Sequence, residues 1–406
     1  MPTISPRPYR LQNKIQHYDW GTKNEKAFIP ALLGIAPERD LPYSELWIGS
    51  HPKSPSEIEI DGKLISLNEV ISANPELVLG KMVFKKFGAQ LPFLLKVLSA
   101  SKALSIQLHP NKKQAEVLHA KDPKNYPDDN HKPEIAISLD HLTALAGFLP
   151  VDEIKKNLSK HPEIAEFAGQ NLVDAVLNSA SESETEEIIK NLYSAIMKKS
   201  ADSDLLKTTI SKWVARLSAF IHNSNDEIQF LNQHKLYGAD VGLFSFFFFN
   251  LIDLKEGQAI FTDAGVPHAY IVGNIIECMA NSDNVVRAGL TPKFKDVDTL
   301  LDIVVYGFSK FDIINEEQKT DDVIFRTTAK EFEISAFSKK PGFLFHFEPQ
   351  NKPSVFLVVS GSVKVIWKGG SEVYKKGESF LVPAILETVD MTSDESAVFY
   401  AVEIPE

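Results

Sequence analysis

The chain has 406 residues, with 43 Lys and Arg against 54 Asp and Glu, a net charge of −11, and one cysteine, Cys278. That charge disfavours duplex nucleic acid and anionic membrane surfaces as partners, because both would repel it, and a lone thiol excludes an intramolecular disulfide and fits a reducing cytosol. The N-terminal 20 residues hold no apolar core of signal-peptide type, and the most apolar run, "LFSFFFFNLI" (243–252), is about half of the ~20 residues a membrane helix needs. A cytoplasmic protein is expected, with that run read as a strand buried on both faces.

Residues 1–149 are rich in Pro, Gly, His and short apolar runs such as "ELWIGSHPKSPSEIEI" and "LPFLLKVLS", which predict short strands and loops. "NKKQAEVLHAKD" predicts a helix within them. Over 150–236 the texture changes to Lys, Glu, Asn, Ser and Ala with apolar residues at three-to-four spacing, the pattern of amphipathic helices, and this block is read as a helical insertion. Strand texture returns at 237–325. There "KEGQAIFTDAGVPHA" has an echo further on, "KKGESFLVPA", which suggests an internal duplication with the second copy in 326–406. His268 follows the proline of the first copy and Ala384 that of the second. With His346 as its one histidine, the C-terminal stretch lacks the residues for a metal site.

Three segments carry polar residues in strand-like contexts. In "SIQLHP" the period of two puts Ser105, Gln107 and His109 on one face. In "NHKPEIAISL" Lys132 and Glu134 share a face and His131 looks away. "GVPHAYIVGNIIECMANSDNVVRAGLTPK" supplies His268 and Tyr270 on one face, then Glu277, Arg287 and Lys293. Two imidazoles, a carboxylate and an amide oxygen suit a borderline divalent ion with an exchangeable position. His119, in the helical stretch, and His131 are rival ligands ranked lower. Spacing alone says nothing of a substrate.

Together "YDWG" (18–21), "ELWIGSHPKSPS" (45–56), "LPFLLKVLSASKALSIQLHP", "NHKPEIAI", "DAGVPHAYIVGNIIECMANSDNVVRAGLTPK" and the helical insert resemble the zinc-dependent mannose-6-phosphate isomerases of the cupin type, over nearly the whole chain and in order. The resemblance implies a mainly β protein with a helical insertion. It would comprise a metal-bearing cupin barrel (1–149 and 237–325), the inserted helical domain (150–236) and a second, metal-free cupin (326–406). It implies one Zn²⁺ per chain held by Gln107, His109, Glu134 and His268, and an active-site role for Arg287.

The implied reaction interconverts mannose 6-phosphate and fructose 6-phosphate, feeding mannose metabolism or GDP-mannose synthesis, in a monomer that binds a sugar phosphate. Its barrier is the negative charge of an enediolate, so an acid–base group and electrophilic stabilisation are required. Lys132 and Glu277 are candidates for proton transfer, and Arg287, permanently charged, for an electrostatic clamp. Tyr270 and Trp20 are expected to line the pocket, with Ser105, Lys96 and Lys293 expected at the phosphate. An Fe²⁺ dioxygenase on two His and one Glu, and a non-catalytic sugar-phosphate binder, are the competing readings.

Overall fold

A computed structural model describes residues 3–315 and 321–405. Strand and helix take near-equal shares, 32% and 31%, so the expectation of a mainly β chain is corrected to one with as much helix as sheet.

The larger sheet has nine strands. Its main path runs Ala259–Thr262, Glu134–Phe148, His268–Ala280, Phe93–Ala100, Glu45–Gly49, Lys14–Gln16. Ile106–Leu108 pairs the start of His268–Ala280 and in turn Val286–Gly289, and Phe249–Lys255 pairs the far half of Glu134–Phe148. A six-stranded sheet runs Tyr9–Leu11, Ser379–Val382, Ser354–Ser360, Ala397–Glu403, Glu333–Lys339, Asp322–Phe325, beside a four-stranded sheet of Leu344–Phe347, Val389–Thr392, Ser362–Trp367 and Gly370–Lys375. One apolar core joins the first two sheets: Leu95, Val97, Ile276 and Cys278 from one side meet Val355, Leu357 and Tyr400 from the other.

The repeated phrase corresponds to a repeated architecture. In the first copy the Gly257 N–H donates to the Ser138 carbonyl and the Gln258 N–H to Lys255; in the second the Gly377 N–H donates to Val358 and the Glu378 N–H to Lys375. Both glycines have positive φ (78° and 84°), which the tight turn requires. Carried along the ladders, this offset sets Ser354, paired to Val382, where Glu134 pairs Thr262. The second copy therefore has a buried hydroxyl, Ser354, where the first has the Glu134 carboxylate.

The block 150–236 folds into six helices from Val151–Lys160 to Asn225–Tyr237. Their starts follow from capping: Ser181 accepts from the Glu184 N–H, Asp202 from Leu205, and Ser224 with Glu227 forms a capping box. The apolar run after them is not the strand expected. Val241–Phe247 is a 3-10 helix started by Asp240, which accepts from the Gly242 N–H at 2.7 Å, and the strand begins only at Phe249. Pinned between the inserted helices and the sheet, those residues are buried on every side; Phe247 stacks on Trp213 at 4.7 Å between centroids. A second difference concerns the unit boundaries: the N-terminal strand Tyr9–Leu11, expected with the first unit, pairs Ser379–Leu381 of the last.

Candidate metal centre and cleft

Ile106 and Leu108 face the core while Gln107 stays half-buried toward an open cleft. Gln107 is the cross-strand neighbour of His268 on one side and Arg287 on the other, so three side chains stand abreast on the sheet. His109 follows the strand end, and Glu134 opens the long strand after Pro133.

His109, Glu134 and His268 converge, with candidate ligand atoms all within 4.8 Å of one another. Glu134 Oε1 lies 2.9 Å from His268 Nε2, and Oε2 lies 3.4 Å from His109 Nε2. All three residues are at most 1% exposed. Each imidazole has its other nitrogen on a backbone carbonyl: His109 Nδ1 on Asn284 at 2.7 Å and His268 Nδ1 on Val266 at 2.9 Å. A carbonyl only accepts, so Nδ1 carries the proton and Nε2 presents a lone pair. Burial, with the Lys132 charge, lowers His109 to about 4, which keeps the ring neutral.

Burial would raise the Glu134 carboxyl, yet the Lys132 charge, foremost, holds it well below the ordinary range. His109 Nε2, His268 Nε2 and Glu134 Oε2 are consequently buried without a hydrogen-bond partner. Lone pairs aimed at one point in a dry interior are costly unless a cation takes them up. Bonds of ~2.1 Å arranged tetrahedrally put ligand atoms about 3.4 Å apart, close to the spacings found. The residues fit a metal ion.

Lys132 lies outside the strand, so the shared strand face expected for it and Glu134 is corrected; its Nζ nonetheless reaches within 3.5 Å of Glu134 Oε2. His131 turns away to Glu331 at 2.9 Å, and His119 Nδ1 is spent on the Tyr126 carbonyl at 2.7 Å. Neither rival joins the cluster.

Above the cluster opens a cleft of about 480 Å³. Six of its lining side chains are cationic and four acidic, a local basic excess in a chain of net charge −11. Trp20, Ser105, Tyr270, Arg287 and Lys293 all line it. Ser105 Oγ lies 3.4 Å from Gln107 Oε1, and Trp20 stacks on Tyr18. Tyr270 donates its hydroxyl to Glu134 Oε1 at 3.1 Å, and burial raises its pKa well above the usual phenol range. Arg287 is half-buried and has no ion-pair partner among the described residues; burial lowers its pKa from the ordinary guanidinium value.

Lys96 also lines the cleft, but its ammonium is committed. It faces Glu277 across the strands, at 2.7 Å from Oε2, and reaches Glu45 at 3.7 Å. Burial opposes the charge, and the two carboxylates overcome it, holding the Lys96 pKa far above its ordinary value. Glu277 is pushed up by burial, against the pull of Lys96. Glu45, whose carboxylate takes the Trp47 indole N–H, was missed from sequence. The alternation in "ELWIG" does put Glu45 and Trp47 on one face. Tyr237, which the end of the helical insert supplies to the cleft, carried no such signal.

A buried His-Glu-His cluster beside a basic cleft, next to its lining residues Gln107, Lys132 and Tyr270, defines a metal-dependent enzyme. Residues 9–151 match the family model described as phosphomannose isomerase type I, catalytic domain. "Mannose-6-phosphate isomerase 2" of Arabidopsis thaliana is 37% identical over 396 residues, covering 93% of this chain and 89% of its own. "Mannose-6-phosphate isomerase" of Saccharomyces cerevisiae is 36% identical over 428 residues, 97% of each. The crystal structure of mannose 6-phosphate isomerase from Salmonella typhimurium, bound to its substrate, fructose 6-phosphate, and a zinc atom, superposes with a TM-score of 0.85. It is 29% identical and covers 98% of this chain and 100% of that one. The chain belongs to the mannose-6-phosphate isomerase family.

Proposed function

We propose that the protein interconverts mannose 6-phosphate and fructose 6-phosphate, with one zinc ion held by His109, Glu134, His268 and the amide oxygen of Gln107. The observation that carries this is the set of three buried, unpartnered ligand atoms under a basic cleft, in a chain whose relatives bear that enzyme's name. When bound, zinc supplies Lewis acidity toward the sugar oxygens and spreads the charge of the enediolate.

The remaining work falls to the chain. One proton moves between C1 and C2 and another between their oxygens. Glu277, a cleft carboxyl that burial raises above its ordinary value, is one candidate for proton exchange, and Lys132 is the other. Arg287, unpaired and half-buried, stabilises developing negative charge. Tyr270 keeps its proton and holds Glu134 in place. Ser105 and Lys293 at the mouth receive the phosphate, while Lys96 acts mainly through Glu277. The iron-oxygenase alternative leaves the Gln107–Arg287 pairing and the cationic lining without a task.

In the same reading, 1–149 with 237–325 form a cupin barrel, 150–236 its helical insertion, and 326–406 a cupin without metal. Ser354 at the place of Glu134 supports the last point. The acidic charge and single buried thiol support a cytoplasmic protein that binds neither nucleic acid nor membranes, and a monomer is our reading of its assembly. No helix among the described residues is long and apolar enough to cross a membrane.

The test is conversion of mannose 6-phosphate to fructose 6-phosphate before chelation, after it, and after zinc is restored. Activity lost and then regained is expected. Conversion untouched by complete metal removal would sink the zinc mechanism, and no conversion with zinc present would sink the isomerase.

A further inference from the structure

His109 is aimed by a carbonyl, and that carbonyl sits in a loop whose three residues 282–284 all bond to one carboxylate, alongside bonds from Ser282 and Asn284 to the Asn130 carbonyl. Asn284, whose oxygen accepts from His109 Nδ1, lies between the strands His268–Ala280 and Val286–Gly289 and is fully buried. Three consecutive residues of this loop bond to Asp128. The Ser282 hydroxyl donates to Asp128 Oδ1 at 2.8 Å, and the Asp283 N–H to Oδ2 at 2.7 Å. The Asn284 amide donates to the Asp128 carbonyl at 2.7 Å and to Oδ1 at 3.1 Å.

Asp128 is itself fixed, because its Oδ1 also accepts from the Asn130 N–H at 3.0 Å. It stands six residues before Glu134, in the segment that brings Lys132 and Glu134 to the cluster. One carboxylate thus binds the piece of chain that presents Glu134 to the piece that orients His109. None of its contacts is with a candidate ligand or with Arg287.

We propose that Asp128 is a positioning residue of the metal centre, locking the 282–284 loop so that the Asn284 carbonyl turns His109 Nε2 toward Glu134. This rests on the assignment of His109 and Glu134 as metal ligands. Without the Asp128 carboxylate the loop keeps the Asn130 carbonyl, the Asp128 carbonyl and Lys53 as partners, and the Asn284 carbonyl holds the imidazole less firmly in one tautomer and one plane. Orientation of a ligating histidine through such a partner is worth about 10–100-fold in metal affinity.

The experiment measures the zinc dissociation constant of Asp128→Ala and Asp128→Asn by competition with a chromogenic chelator. The unfolding temperature of each metal-free protein is recorded beside it. Asp128→Ala is expected to bind zinc about 10–100-fold more weakly, with kcat falling more than KM changes. Asp128→Asn keeps the oxygen that serves Ser282 and Asn284 and is expected to recover part of the loss.

Should Asp128→Ala fail to fold, Asn284→Ala replaces it. That change removes the amide grip, keeps the carbonyl, and is expected to weaken zinc in the same direction. A lower unfolding temperature with parental zinc affinity in the folded variant overturns the proposal, since that is what a purely structural aspartate would give. His109→Ala separates the two levels. If it too keeps parental affinity, the ligand assignment is wrong; if it loses zinc while Asp128→Ala does not, only the role of Asp128 falls.

Discussion

Replacing Lys96 by Met removes the cation that stands between the buried carboxylates of Glu277 and Glu45. Lys96 and Glu277 have side chains 7% and 4% exposed and stand 2.7 Å apart, and Glu45 faces the same ammonium at 3.7 Å. Removing one partner of a buried pair leaves an uncompensated charge and costs about 3–5 kcal/mol. Glu277 has an escape, because it can take up a proton. Its carboxyl is already raised by burial and would rise further without Lys96.

A carboxyl with a raised native pKa contributes stability below its unfolded value of ~4.5 that is lost as pH climbs through the native value. The deficit of Lys96→Met should therefore grow as pH rises, and be smaller at pH 5 than at pH 8. The double variant Lys96→Met/Glu277→Gln should recover part of it, since the Glu277 charge is then gone and only Glu45 has lost its cation. Urea unfolding of parent, single and double variants at the two pH values measures this directly. A deficit under 1 kcal/mol at pH 8, or one that does not change with pH, would show that Lys96 is not the counter-charge of this array.

Three further outcomes follow from single sites. His268→Ala should lose both retained zinc, read by metal analysis after dialysis, and turnover, because one of two imidazoles is gone. His161 is fully buried, its pKa lowered to about 4 by burial and by the Arg216 and Lys160 charges, against the pull of Glu227. The unfolded state then binds more protons below pH ~6.5, so stability should fall between pH 6.5 and 4. The loss attributable to this ring is about 2 kcal/mol by pH 5, and His161→Gln should flatten that slope in urea titrations. Phe356→Ala in the C-terminal unit deletes a fully buried ring stacked 4.9 Å from Phe380. It should cost about 3–5 kcal/mol of stability and leave the kcat of the folded enzyme unchanged.

What was legible in the chain followed from local rules. The period of two set Gln107 apart from Ile106 and Leu108, hydroxyl and acidic residues marked the helix starts, and the glycine turns at 257 and 377 betrayed the repeat. Long-range facts were beyond such rules. Tyr9 pairs with Leu381 across nearly the whole chain, and Glu45 meets Lys96 only because two strands lie side by side. Lys132 approaches Glu134 from outside the strand, where alternation has no meaning. The phenylalanines of 243–249 conceal a helix-to-strand change because tertiary burial, not periodicity, decides an all-apolar segment. The Asn284 carbonyl left no trace in sequence, since any residue at that place offers the same backbone oxygen.

The central claim is that His109, Glu134, His268 and Gln107 hold the zinc on which isomerisation depends. Diffraction at the zinc absorption edge, on crystals grown from protein that turns over mannose 6-phosphate, tests it most directly. One anomalous peak per chain is predicted, bonded to both Nε2 atoms and to Glu134 at about 2.0–2.2 Å, with the Gln107 oxygen beside it. A zinc peak elsewhere, or fully active crystals with no metal at that point, would contradict the account.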